Sequence, residues 1–319
     1  MSRYILIRVL SALPTLIGVS LLVFGVTYLI PGDPARMMAG TEASPDAVEA
    51  IRRRWGLDQP FWVRYGLWLA NMLQGNLGDS YFNKQSVAQL VAGAMPVTLE
   101  LTVLALLVAL IIAVPAAIIS AVRVGSAFDV SAAAVGFVGL SIPGFWLGIM
   151  LIYVFAVQLR WVPAGGYVGF DKGIGANLQS MILPAIALGT FASTQLMRYL
   201  RASLLDVLHA DYVRTARAKG LRENAVLVRH AVRNALIPFT TVLGVQMGYL
   251  LGGTVITESV FALPGMGRLV LTAVLNRDYQ VATGIIFLIA GAFVLINLLV
   301  DLLYPVLDPR VRLGQSGGG

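Results

Sequence analysis

VTLELTVLALLVALIIAVPAAIISAV, residues 97–122, decides the fold class: it is apolar almost throughout and carries a single charge, Glu100, near its start. A helix rises about 1.5 Å per residue and the hydrocarbon layer is about 30 Å thick, so about 20 apolar residues cross it. Lipid offers backbone N–H and C=O groups no partners, which is why such a run must close its hydrogen bonds internally as a helix. Five more stretches meet the same test, at residues 9–30, 130–159, 181–200, 234–257 and 281–307. The run at 181–200 is the weakest, being short and interrupted by Pro184 and Gly189. The expectation is an all-α integral membrane protein with six transmembrane helices, kinked at Pro115, Pro143, Pro184 and Pro238.

Composition agrees with that expectation. Of 319 residues, 58% are hydrophobic and 12% charged, whereas a soluble domain has about a quarter of its residues charged. The formal charge of +7 is spread over short segments between apolar runs, which reads as membrane topology rather than nucleic-acid binding. There is no cysteine, hence no disulfide framework, thiolate metal site or cysteine nucleophile, and two histidines leave little for a metal centre. The Gly/Ser-rich end, Gln315 to Gly319, reads as a flexible tail. The first apolar run follows Arg3 and Arg8 as a signal peptide would. It is too long for one, however, and leads into Pro31-Gly32-Asp33-Pro34 instead of a small-residue cleavage site.

Lysine and arginine counts orient the chain. With the N-terminus inside, inner segments hold 13 of these residues and the short outer loops hold four, Arg160, Lys172, Arg268 and Arg277. The long segment 31–96 holds six more but is too long for the rule to apply. Both termini are therefore expected in the cytoplasm. Residues 1–30 form an inner segment with the first helix, 31–96 an outer helical subdomain, 97–308 the transmembrane domain with an inner segment at 201–233, and 309–319 the tail. Within 31–96, Ser44-Pro45 starts a helix that Gly56 stops, and a second runs from Pro60 to Gly75 with Phe61, Trp62, Tyr65, Trp68 and Leu69 on one face. That face reads either as an aromatic belt at the membrane surface or as a docking platform for an external partner.

The inner segment Asp211-Tyr212-Val213-Arg214-Thr215-Ala216-Arg217-Ala218-Lys219-Gly220 is the most informative part of the chain. Asp211 is expected as N-cap and Gly220 as the C′ residue, with Arg217 and Lys219 complementing the negative end of the helix dipole. Tyr212, Ala216 and Lys219 are expected on one face and Arg214 and Arg217 on an adjacent one. A short, rigid, basic helix outside the membrane suits a groove on a partner protein, where a headgroup-binding loop would need no fixed length.

This stretch, followed after nine residues by His230-Ala231-Val232-Arg233-Asn234-Ala235-Leu236-Ile237-Pro238, resembles the cytoplasmic signature of binding-protein-dependent ABC permeases. It is most similar to the first, B-type permease subunit of the dipeptide/oligopeptide/nickel branch. The resemblance extends to Leu29-Ile30-Pro31-Gly32-Asp33-Pro34, Gly56-Leu57-Asp58-Gln59-Pro60 and Gly75-Asn76-Leu77-Gly78-Asp79-Ser80. It also takes in Glu258-Ser259-Val260-Phe261, Pro264-Gly265-Met266-Gly267-Arg268 and Asp308-Pro309-Arg310-Val311-Arg312. The broader permease signature has Glu-Ala-Ala where this chain has Arg214-Thr215-Ala216, and its proline closer to the glycine than Pro238 is to Gly220. Both departures match the peptide branch.

The resemblance implies a type I importer-like permease in the bacterial inner membrane, in which 211–220 is the coupling helix. It also implies a second, C-type permease subunit, two ATP-binding subunits that hold ATP and magnesium, and an extracytoplasmic substrate-binding protein. The substrate would be a dipeptide or oligopeptide, with glutathione or nickel as alternatives in the branch. No Gly-x-x-x-x-Gly-Lys-Ser/Thr occurs, so no cofactor and no catalytic residue is expected in this chain, and His230 reads as structural or interfacial.

Membrane-embedded acids are expected only at Glu100 and Asp301, a scarcity that argues against an ion-coupled secondary transporter. Gln246, Tyr249 and Asn297 are candidates for a polar lining of the path or for hydrogen bonds between helices. Glu258, Arg268 and Asp278 are candidates for an outer gate or a contact with the binding protein. Gly144 and Gly148, and Gly244, Gly248 and Gly252, mark faces of close helix approach, either within the chain or against a second subunit.

Overall fold

The structure, a computed structural model, describes residues 2–29, 33–40 and 42–307. Pro31-Gly32, the motif starting at Asp308 and the tail 309–319 lie outside the described residues. In chain order the helices are α1 (Ser2–Leu29), α2 (Pro34–Ala39), α3 (Pro45–Arg54), α4 (Phe61–Leu73), α5 (Val87–Val122), α6 (Ala127–Ser141) and α7 (Gly144–Leu151). Then come α8 (Ile174–Leu208), α9 (Asp211–Ala218), α10 (Glu223–Ala225), α11 (Arg233–Val260), α12 (Met266–Leu275) and α13 (Tyr279–Leu307). Wider π turns continue α7 over Ile152–Gln158 and join α10 to α11 over Val226–Val232. The fold is all-α; among the described residues the extended pairing is an isolated bridge between Asp79 and Ser86.

Among the described residues, five helices, α1, α5, α8, the α10–α11 rod and α13, are long and apolar enough to cross a membrane. The expected third span is not one helix. It is α6 and α7 with its π turn, meeting at about 100°. Pro143 explains the break: it lacks an N–H and disfavours the helical conformation at Ile142, which is extended at ψ 123°. At Pro115, Pro184 and Pro238 the helices run on without a break. The span expected to be weakest is instead part of a 35-residue helix, α8.

The reason lies in α5. Ala105, Ala109, Ala113, Ala117 and Ala121 recur every fourth residue and are all buried, and α8 lies against that stripe. Small side chains let the backbones close up. A Cβ on Gly189 would sit 2.5 Å from the Ala105 carbonyl oxygen, so Gly189 is the point of closest approach and not a weakness. Both α5 and α8 are longer than a bilayer crossing needs, about 50 Å at 1.5 Å per residue. The start of α5, Val87 to Pro96, thus belongs to a helix rather than to the preceding loop.

The outer segment folds as expected in part. Ser44 Oγ accepts from Ala47 N at 3.3 Å, and Gly56 ends α3 with φ +61°. In α4, Tyr65, Trp68 and Leu69 join Phe61 in a cluster with Phe24 of α1 and Phe287 of α13. Much of this face is packed onto the bundle and is not an open platform. Trp62 departs from the expected face and is 68% exposed.

The glycine faces divide as well. A Cβ on Gly244 would collide with Val300 of α13, and one on Gly248 with Phe293, so both glycines serve packing within the chain. Gly148 lies under Val260 and Phe261. Gly252 and Gly144 face open space.

Candidate functional site

Two residues, His209 and Ala210, separate α8 from the short helix α9. Asp211 is not its N-cap. Ala210 holds that position with extended backbone, and Asp211 is the first helical residue, where its charge meets the positive end of the helix dipole. At the other end Gly220 is the C′ residue as expected, with φ +77°. Gly220 N donates to Arg217 O at 2.9 Å and Leu221 N to Ala216 O at 3.4 Å, the paired bonds of a Schellman cap. Arg217 turns across to Glu223 at 2.6 Å, tying the end of α9 to α10.

The faces of α9 also differ from expectation. Val213 and Ala216, three apart, are buried against Val226 and Val207. Ala216 is therefore an inward anchor and does not share an outer surface with Tyr212 and Lys219. Tyr212, Arg214, Thr215, Ala218 and Lys219 are exposed. Val213 was not singled out from the sequence, although its spacing to Ala216 and the later Val226 carries the signal. The result is a rigid basic peg seated by its apolar side on α8 and the π turn.

At the opposite end of the bundle, Glu258 is fully buried in α11. Its carboxylate accepts from Thr98 Oγ1 at 2.7 Å and from Arg268 N at 2.8 Å, while Met266 N donates to Thr98 Oγ1 at 2.8 Å. Together Glu258 and Thr98 satisfy backbone donors at the start of α12, which would otherwise be orphaned. Gly265 and Gly267 make room: a Cβ on Gly267 would lie 2.6 Å from Val255 Cα.

Asp278 does parallel work at the start of α13. It accepts from the Ser80 hydroxyl, from Tyr81 N at 3.2 Å and from Phe82 N at 3.4 Å, so it holds the 79–82 loop. Burial, helped by the Asp278 charge, pushes the Tyr81 phenol up to about 12. Glu258 and Asp278 are thus two separate anchors of one layer at the end of the bundle opposite α9. Arg268 contributes its backbone N–H to Glu258 and borders a cavity of about 510 Å³ with Pro264 and Thr272.

Two further acids, Glu258 and Asp129, lie one residue outside the apolar runs and are buried in the protein. Glu100 accepts from the Tyr167 hydroxyl at 2.8 Å, Asp301 pairs with Arg8 at 3.1 Å, and Asp129 pairs with Arg201 at 2.8 Å. Tyr249 and Asn297 line one cavity of about 830 Å³ between α1, α11 and α13, together with Gly252 and Phe293. Gln246 does not join them; it is buried elsewhere on α11. Asn297 also donates to Phe293 O at 2.9 Å.

The architecture is that of a multi-pass helical membrane protein, with a capped basic peg at one end and a layer pinned by buried carboxylates at the other. Residues 113–313 match the family described as binding-protein-dependent transport system inner membrane component, and residues 1–102 match the N-terminal membrane component of the same systems. The chain belongs to this family of inner-membrane permeases. It is 40% identical to the dipeptide transport system permease protein DppB of Alkalihalophilus pseudofirmus, covering 98% of this chain and 100% of that one. It is 44% identical to a putative peptide transport system permease protein of Brucella abortus, covering 98% and 99%. It is 42% identical to the glutathione transport system permease protein GsiC of Escherichia coli, with the same coverage.

Proposed function

We propose that this chain is one of two permease subunits through which dipeptides or oligopeptides enter the bacterial cell, driven by two separate ATP-binding subunits. The observation that carries the reading is the peg itself. Helix α9 exposes Tyr212, Arg214, Thr215 and Lys219 while Val213 and Ala216 fix it to the bundle. A partner that moves this helix moves the bundle with it. ATP and magnesium belong to those partners, and an extracytoplasmic binding protein delivers the substrate to the outer layer built on Glu258 and Asp278. Closure of the ATP-binding pair then shifts the bundle between inward-open and outward-open states as packed bodies. Names of full-length relatives support peptides as the substrate class. Glutathione is the second reading, favoured by the relative that carries that name.

The test is reconstitution in liposomes with the second permease subunit, the ATP-binding subunits and the binding protein. The expected result is ATP-dependent uptake of a labelled dipeptide, with none by this chain alone under an ion gradient. Uptake by the chain alone would overturn the ATP-driven reading. Uptake of glutathione but not of dipeptides would move the substrate to the second reading.

A further inference from the structure

A part-buried ion pair lies outside the surfaces assigned so far. Asp129, in the first turn of α6, has a side chain that is 8% exposed. Both its oxygens are engaged by one guanidinium: Arg201 Nε donates to Oδ1 and an Arg201 Nη to Oδ2, each at 2.8 Å. Gly125 N adds a third bond to Oδ2 at 3.0 Å, bringing in the turn between α5 and α6. A bidentate pair of this kind fixes orientation as well as distance.

Two further contacts join α6 to α8. The Arg198 guanidinium lies 5.6 Å from the centre of the Phe137 ring. Gly136 and Gly139 both approach Thr194, whose methyl would lie 3.2 Å from a Cβ on Gly136. Helix α6 is thereby keyed to α8 along most of its length. Its far end is the break at Pro143, beyond which α7 leads away at about 100°.

The position of Arg201 on α8 gives the pair its meaning. Val207, less than two turns further on, is part of the seat under Val213 and Ala216 of α9. The carboxylate–guanidinium joint and the peg therefore sit on the same end of one helix. Apolar side chains of similar size would fill the space between α6 and α8 without the desolvation of two charges. What they would lack is directional locking.

We propose that Asp129–Arg201 is the transmission joint of the permease: it makes α6 travel with the basic end of α8 when α9 is displaced. Asp129 and Arg201 are positioning residues in this scheme, acting on the path through α6 and not on the substrate. The inference rests on the proposed ATP-driven function, so the wild-type complex is measured first. If it shows no ATP-dependent uptake, the function fails and the joint is not at issue.

The variants are made in the complete complex: Asp129→Leu with Arg201→Met, Arg201→Lys alone, and the exchange Asp129→Arg with Arg201→Asp together with each of its single changes. The apolar pair is expected to assemble and hydrolyse ATP at the basal rate. Its uptake of labelled dipeptide should fall about tenfold, with more ATP spent per substrate, a size of effect usual for coupling between sites. Arg201→Lys, a point charge without the fork, should lose part of the coupling, and the exchange should recover more uptake than either of its single changes. Wild-type uptake and wild-type ATP per substrate in the apolar pair would overturn the proposal. Should that pair fail to assemble, Arg201→Lys decides alone: unchanged coupling sinks the joint, and reduced coupling in an assembled complex supports it.

Discussion

Gly220 sits where a β-branched residue is strained. Its φ of +77° belongs to the left-handed region, which costs an L side chain about 1–2 kcal/mol. Gly220→Val therefore loosens the Schellman cap and lets α9 fray toward α10, without touching the membrane helices. A separate change isolates the docking surface. Thr215 points outward and bonds its own helix through Asp211 O, so Thr215→Trp blocks a groove while Val213 and Ala216 stay seated. Both variants are expected at wild-type level in the membrane, with uptake at least about tenfold down, a loss of about 1.4 kcal/mol in coupling. Normal uptake by Thr215→Trp would remove α9 from the ATPase interface. Ala216→Glu would not serve here, since it forces a charge against Val226 and Val207 and so reports on packing.

At the scale of elements, α12 depends on a carboxylate from another helix. Glu258→Ala removes the acceptor for Arg268 N and the partner of the Thr98 hydroxyl in a site without solvent. Each buried donor left unmade costs about 1–3 kcal/mol, whereas Glu258→Gln keeps an acceptor oxygen in place. Amide exchange over 263–270 should quicken strongly in the alanine variant and mildly in the glutamine one. Equal protection in both would show that the layer holds without this anchor. The same elements show what was legible beforehand. Long apolar runs and terminal glycines such as Gly56, Gly75 and Gly220 are local signals, so helices and their ends were readable. Which face of α4 or α9 turns inward is decided by Phe24, Phe287, Val207 and Val226, residues distant in sequence from some of their partners. The burial of Glu258 and Asp129 was hidden because an acid at the edge of an apolar run reads as the end of a span, whereas donors from other helices can hold it inside the protein. The tightest helix pair was hidden too, since an alanine stripe on α5 looks merely apolar until α8 is laid against Gly189.

For the whole molecule the open physical quantity is direction across the bilayer. The basic residues of 198–233 gather at the end that carries α9, whereas Arg160, Lys172, Arg268 and Arg277 are dispersed among the loops opposite. Inner loops hold lysine and arginine because moving them across the membrane during insertion is unfavourable, and the bias of thirteen against four is large for loops this short. The N-terminus and α9 should then face the cytoplasm, and Asp278, Ser80 and Tyr81 the outside. The absence of cysteine makes this directly measurable, because a single introduced thiol is the only one in the chain. Lys172→Cys, in the loop before α8, should react in intact cells stripped of any outer wall with a reagent that cannot cross the membrane. Lys219→Cys, at the exposed end of α9, should react only after permeabilisation. The opposite pattern would put α9 outside, away from ATP, and no ATP-binding partner could then reach it.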